Sequence, residues 1–104
     1  KIEQVRFFNC DTTIHCTDCY VDKLILDGSS KIDKLNLEGC SVGTIILEKS
    51  TVIDQISITV DSNVTMIDCR DGEIENIVIN NSKVEYIRIN NKVGNISLGN
   101  GRFP

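Results

Sequence analysis

The feature that most constrains this chain is a period of about ten residues running from one end to the other. Each unit reads apolar, two polar, apolar, any, apolar, then about four mostly polar residues. The units are Ile2, Val5, Phe7; Val21, Leu24, Leu26; Ile32, Leu35, Leu37; Val42, Ile45, Leu47; Val52, Ile56, Ile58; Val64, Ile67, Cys69; Ile74, Ile77, Ile79; Val84, Ile87, Ile89; and Val93, Ile96, Leu98. A further unit, with Ile14 and Cys16, lacks its first apolar residue, because Asp11 and Thr12 stand in its place. A fixed short period specifies a stack of similar units rather than one irregular core.

The last two apolar positions of each unit are two apart, the spacing of a strand whose intervening side chain points away from the interior. β-Branched residues crowd those positions, as a pleated surface favours. No stretch sustains the three-and-four spacing of a helix. Gly, Asn, Asp and Ser fill the intervals, at Asp27-Gly28-Ser29-Ser30, Glu38-Gly39-Cys40, Glu48-Lys49-Ser50, Asp71-Gly72 and Asn80-Asn81-Ser82, and these residue types make turns. Ten residues are too few to enclose a filled interior, so two units make one coil. The expectation is an all-β fold, a right-handed parallel β-helix (β-solenoid). It has about ten short strands, two ten-residue units per coil, and forms a single domain over 1–104.

Two residues before the first apolar position of each unit stands a short side chain: Cys10, Cys19, Ser30, Cys40, Ser50, Ser62, Gly72, Ser82 or Asn91. Recurrence at one angular position marks tight corners. A five-residue beat is also visible, as in Ile74, Ile79, Val84 and Ile89, and resembles that of pentapeptide-repeat proteins. Their Ala-(Asp/Asn)-Leu tripeptides are absent here.

The five cysteines raise metal and disulfide chemistry. Cys10, His15, Cys16 and Cys19 fall close together, but the register turns Cys16 inward, His15 outward and the other two to corners. One tetrahedral site would require breaking the strand, so no metal is expected and the thiols read as small filler. Cys19 and Cys40 fall one coil apart, close enough for a disulfide. The odd number of cysteines and the lack of a secretory signal point to reduced thiols and a cytoplasmic setting.

Catalytic constellations are missing from the sequence pattern. His15 is the sole histidine, and it lies on the opposite side of its strand from Cys16. No phosphate loop, dinucleotide fingerprint or calcium loop occurs. The expected protein is not an enzyme and binds no cofactor. A net charge of −4 and a pI near 4.8 disfavour nucleic-acid binding, and no apolar run is long enough for a membrane span.

The surface remains. Alternate units share a face, so one face should carry Arg6, Ile25, Ile46, Asp68 and Arg88, with Phe8, Asp27, Glu48, Arg70 and Asn90 two positions along. Ile25 and Ile46 read as an exposed aliphatic pair with Phe8 nearby, rimmed by Asp27, Glu48, Asp68, Arg70 and Arg88. Such a patch suits a protein partner. The opposite face should carry His15, Asn36, Ser57, Val78 and Ser97, with Thr17, Glu38, Thr59 and Asn80. It lacks the repeated Thr ranks of ice-binding solenoids.

Asn9-Cys10, Thr12-Thr13-Ile14-His15-Cys16, Gln55-Ile56-Ser57-Ile58-Thr59-Val60-Asp61, Asp68-Cys69 and Lys92-Val93-Gly94-Asn95-Ile96-Ser97-Leu98 resemble the carboxy-terminal β-helix domain of cyclase-associated proteins and the related tubulin cofactor C fold. The likeness is one of rhythm, and the dimerising hairpin of that family is not evident after Gly99. It implies binding of monomeric actin through the sheet surface, with no individual contact residue carried over. Bactofilins, which polymerise, are a second comparison but are richer in Gly-x-Ile and Gly-x-Val steps. The expectation is a non-enzymatic protein-binding scaffold, an actin-monomer-binding module in particular. The alternatives are a solenoid that forms a homodimer or stacks end to end, and an acidic DNA mimic of the pentapeptide-repeat kind.

Overall fold

A computed structural model describes residues 1–8, 11–27, 31–48, 51–88 and 93–98. They form ten strands: β1 (Ile2–Phe8), β2 (Thr13–Thr17), β3 (Tyr20–Asp27), β4 (Lys31–Glu38), β5 (Ser41–Leu47), β6 (Thr51–Thr59), β7 (Asn63–Asp68), β8 (Gly72–Ile79), β9 (Lys83–Arg88) and β10 (Val93–Leu98). The odd strands make one five-stranded sheet in the order β1-β3-β5-β7-β9. The even strands make the other, in the order β10-β8-β6-β4-β2. Every pairing is parallel. The chain is therefore an all-β solenoid in which each coil contributes one strand to each sheet. No helix among the described residues is long and apolar enough to cross a membrane.

The register turns the sequence period into columns. Val5, Leu24, Ile45, Ile67 and Ile87 stack in the odd sheet. Ile14, Leu35, Ile56, Ile77 and Ile96 stack in the even one. Middle members such as Leu35, Ile45, Ile56, Ile67 and Ile77 are fully buried between the sheets. Stacking equivalent residues at the ~4.8 Å strand separation lets aliphatic side chains fill a narrow interior without large rings. Among the described residues, every buried side-chain nitrogen or oxygen has a hydrogen-bond partner.

One unit departs from the expected register. The first interior residue of β6 is Ile53, which pairs with Ile32 and Ile74; Val52 pairs with Lys31 and Glu73 and is half-buried. The corner position moves with it. Thr51 is buried, aligns with Gly72, and donates its hydroxyl to Glu48 O at 2.7 Å and to Leu26 O at 3.2 Å. The turn from β5 has the same length as the turn from β3, Leu47 to Ile53 matching Leu26 to Ile32, so the inward side chain comes one position later than a strict ten-residue step from Val42 would put it. There is little room at this corner, since a Cβ on Gly72 would come 2.7 Å from Thr51 O and 2.8 Å from Leu47 Cβ. The predicted corner residues Cys10, Ser30, Ser50 and Asn91, the turn residues Gly28, Ser29 and Lys49, and also Ile89 and Asn90 lie outside the described residues.

The corners that follow the even strands share a backbone device. Asp18, Gly39, Asp61 and Asn81 all have positive φ, between 51° and 64°. Val60 also adopts a φ of 58°, because the turn from β6 to β7 holds one residue more than its neighbours. Below them runs the expected column of short side chains. Cys40 N donates to Ser62 Oγ at 3.0 Å, Ser62 N donates to Ser82 Oγ at 3.0 Å, and Ser62 Oγ donates to Thr59 O at 2.7 Å. These side chains replace main-chain hydrogen bonds where the chain turns out of the sheet.

Candidate functional site

The outer face of the odd sheet carries the column foreseen from the repeat. Arg6 aligns with Ile25, Ile25 with Ile46, Ile46 with Asp68, and Asp68 with Arg88. Phe8 aligns with Asp27, and Glu48 N donates to Leu26 O at 2.8 Å, which places Glu48 alongside Asp27. The eight proposed contact residues, Phe8, Ile25, Ile46, Asp27, Glu48, Asp68, Arg70 and Arg88, therefore do share one surface. Their exposure differs from expectation.

Ile25 is not exposed; its accessible fraction is 4%, and Ile46 is half-buried. Asp27, expected on the rim, is buried as well. The cause is Arg6. Its Nη1 contacts Asp27 Oδ2 at 2.5 Å and lies 3.6 Å from Glu48 Oε1. A side chain that starts beside Ile25 and ends on Asp27, two residues further along the same strand, is placed to lay its methylenes over the isoleucine. Alternation along a strand tells which side a residue faces, not what a neighbouring long side chain does there. Two carboxylates one strand apart, with an arginine on the preceding strand, were the available signal for this clamp.

The far part of the face is a second charged cluster. Asp68 accepts from Arg70 Nε at 2.9 Å and from Arg70 Nη2 at 2.7 Å, with Arg88 on the adjacent strand. The hydrogen bonds from Arg70 hold the Asp68 carboxyl below the usual carboxylate range, and the charge of Arg88 acts the same way. Rings stand at both margins of the face. Phe8 on β1 is 59% exposed, and Tyr86 on β9, in the column of Lys23, Thr44 and Met66, is 62% exposed.

The even sheet presents the short polar face expected of it, with His15, Asn36, Ser57, Val78 and Ser97 in one column. His15 Nε2 lies 3.3 Å from Glu38 Oε1, and both side chains are about half exposed. Cys16 belongs to the inward column with Leu37. Histidine and cysteine thus diverge across the strand. Among the described residues, no group of three or more His, Cys, Asp and Glu is arranged to hold a metal ion; Cys10 lies outside them. Cys16, Cys19, Cys40 and Cys69 are free thiols. Burial pushes the Cys16 and Cys40 thiols up, and Cys69, also facing the charge of Asp68, is pushed up to about 11.

Compared with known proteins, the chain matches no family model, and no curated protein or solved structure matches it either.

Proposed function

We propose that this solenoid is a non-enzymatic protein-binding scaffold that engages its partner through the outer face of the odd sheet. The observation that carries this reading is the placing of two exposed rings, Phe8 and Tyr86, around charged groups already held in fixed positions by Arg6 and Arg70. Aromatic and arginine side chains are the commonest anchors of protein interfaces. Pre-paired charges cost little further entropy on binding and set the orientation of a partner. The apolar contribution comes from the rings, since Ile25 and much of Ile46 are covered.

Monomeric actin is the first partner to test, on the strength of the resemblance in rhythm to cyclase-associated proteins, and a cytoplasmic setting accompanies it. Titration of ADP- and ATP-actin against the wild type and a Phe8→Glu, Tyr86→Glu variant tests this directly. Both rings are exposed, so the variant keeps its fold and loses at least about tenfold in affinity, equivalent to about 1.4 kcal/mol. No binding of either nucleotide form at roughly 50 μM removes actin, and retained affinity in the variant removes the face.

End-to-end stacking is the second reading, favoured by interior residues exposed at the ends of the columns, Ile2 on β1 and Ile96 on β10. Extending the odd-sheet register from β9 onto β1 of another copy would align Lys83 with Lys1, Glu85 with Glu3 and Arg88 with Arg6. Like charges directly opposite on paired strands are destabilising, which weighs toward the lateral face. DNA mimicry requires unpaired carboxylates in a row, whereas Asp27 and Asp68 are held by arginines.

A further inference from the structure

We propose that Cys19 and Cys40 form a reversible disulfide, a staple joining the first two coils at one corner of the solenoid. Tyr20 aligns with Ser41, and Ser41 N donates to Cys19 O at 2.9 Å, so the parallel ladder places Cys19 and Cys40 side by side. Adjacent positions on paired strands are separated by about 4.8 Å, within the ~4.4–6.8 Å span between Cα atoms that a disulfide bridges. The two sulfurs also point to the same place. Cys19 Sγ donates to Thr17 O at 3.3 Å, and Cys40 Sγ lies 3.2 Å from Cys16 O on the first coil and 3.4 Å from Glu38 O, the ladder partner of Thr17.

The column continues with Ser62 and Ser82, which fill the same small corner with hydroxyls and hydrogen-bond along the stack. Size alone therefore does not demand cysteine, and thiols occupy its first two steps only. Of the other described thiols, Cys16 lies in the interior column beside Leu37, and Cys69 donates to Arg88 O at 3.1 Å in the opposite corner. The first coil is also an end of the stack, where the interior is less covered than in the coil that follows. Val5, Phe7 and Cys16 are each half-buried, while their counterparts in the second coil, Leu24, Leu26 and Leu37, are buried. A covalent link there would hold an end coil to the better-packed coil beside it.

The co-reactant is a small-molecule disulfide such as oxidised glutathione. Cys19 is half-buried and Cys40 almost fully buried, so Cys19 reacts first. Its thiolate attacks one sulfur of the reagent, forming a mixed disulfide and releasing one thiol. The Cys40 thiolate then attacks the Cys19 sulfur, forming the Cys19–Cys40 bond and releasing the second thiol. The two protons lost by the protein end on the two released thiols. Two protein thiols are oxidised by two electrons, and the reagent disulfide is reduced.

Incubation of the folded protein with oxidised glutathione, followed by mass mapping without reduction, tests the pair. The expected result is loss of two of the five titratable thiols, a Cys19–Cys40 cross-link between tryptic peptides, and a melting temperature higher by several degrees that dithiothreitol reverses. Amide exchange at Asp18 and Ser41 should slow. Cys19→Ser abolishes the cross-link and the shift, while Cys16→Ser keeps both. A glutathione adduct at Cys19 that never closes, or linkage to another cysteine, overturns the proposal. So does a cross-link with no effect on melting or exchange.

Discussion

Arg6 holds Asp27 at 2.5 Å, and Ile25 lies between them, beside Arg6 in the ladder and two residues before Asp27 in its strand. The ion pair is thus placed to cover apolar surface as well. Arg6→Ala should cost about 1–3 kcal/mol, the usual loss when a hydrogen bond to a charged group is removed and its buried partner remains. Arg6→Met keeps the methylene cover and discriminates the two contributions. Chemical denaturation should place Arg6→Met between wild type and Arg6→Ala if covering Ile25 matters, and level with Arg6→Ala if charge alone does.

The inside and outside of the strands are tested by adjacent substitutions. Ile77 is fully buried between Ile56 and Ile96, whereas Val78 faces outward between Ser57 and Ser97 and is half-buried. Ile77→Asp places a charge in the apolar column and should cost about 5 kcal/mol or more, comparable with the whole stability of a domain of this size. Val78→Asp should leave circular dichroism unchanged and lower the midpoint only slightly. Equal loss from both would mean the strand is turned the other way.

These two positions also show what was legible in the sequence and what was not. Ile77 belongs to a column repeated in neighbouring units, so any one of them predicts the side it faces. Ile25 obeys the same alternation, yet it is buried beside Arg6, a residue 19 positions earlier whose reach no local period records. Val52 and Ile53 are adjacent and both apolar, so spacing alone cannot choose between them. The choice falls to Thr51, whose hydroxyl satisfies two carbonyls at the corner. Val60 gives no sign of positive φ, because a β-branched residue disfavours that conformation and the longer turn imposes it.

Val60 is the clearest case of a residue held against its own preference. A β-branched side chain at a φ of 58° crowds its own backbone, at a cost of about 1–2 kcal/mol. The side chain is 58% exposed, so little packing is lost by changing it. Val60→Asn should raise stability by up to about 1 kcal/mol, seen as a higher denaturation midpoint. A lower midpoint would show that Val60 makes a contact worth more than the strain.

The buried thiols set an alkaline limit on the fold. Cys69 is pushed up to about 11 by burial and by the neighbouring Asp68 charge, and burial raises Cys16 and Cys40 as well. An unfolded thiol titrates near a pH of about 8.5. Because the folded value is the higher one, the fold favours the protonated form. This contribution is complete below the unfolded value and is lost as pH rises toward 11, where the unfolded chain has released its protons and the folded chain has not. The melting temperature should therefore fall steadily from about pH 9 upward in reducing buffer. Cys69→Ala will lower stability at neutral pH by removing a buried group, but it should make that alkaline fall shallower. The slope is the decisive readout, since a merely structural role for Cys69 would shift the whole curve and leave its steepness unchanged.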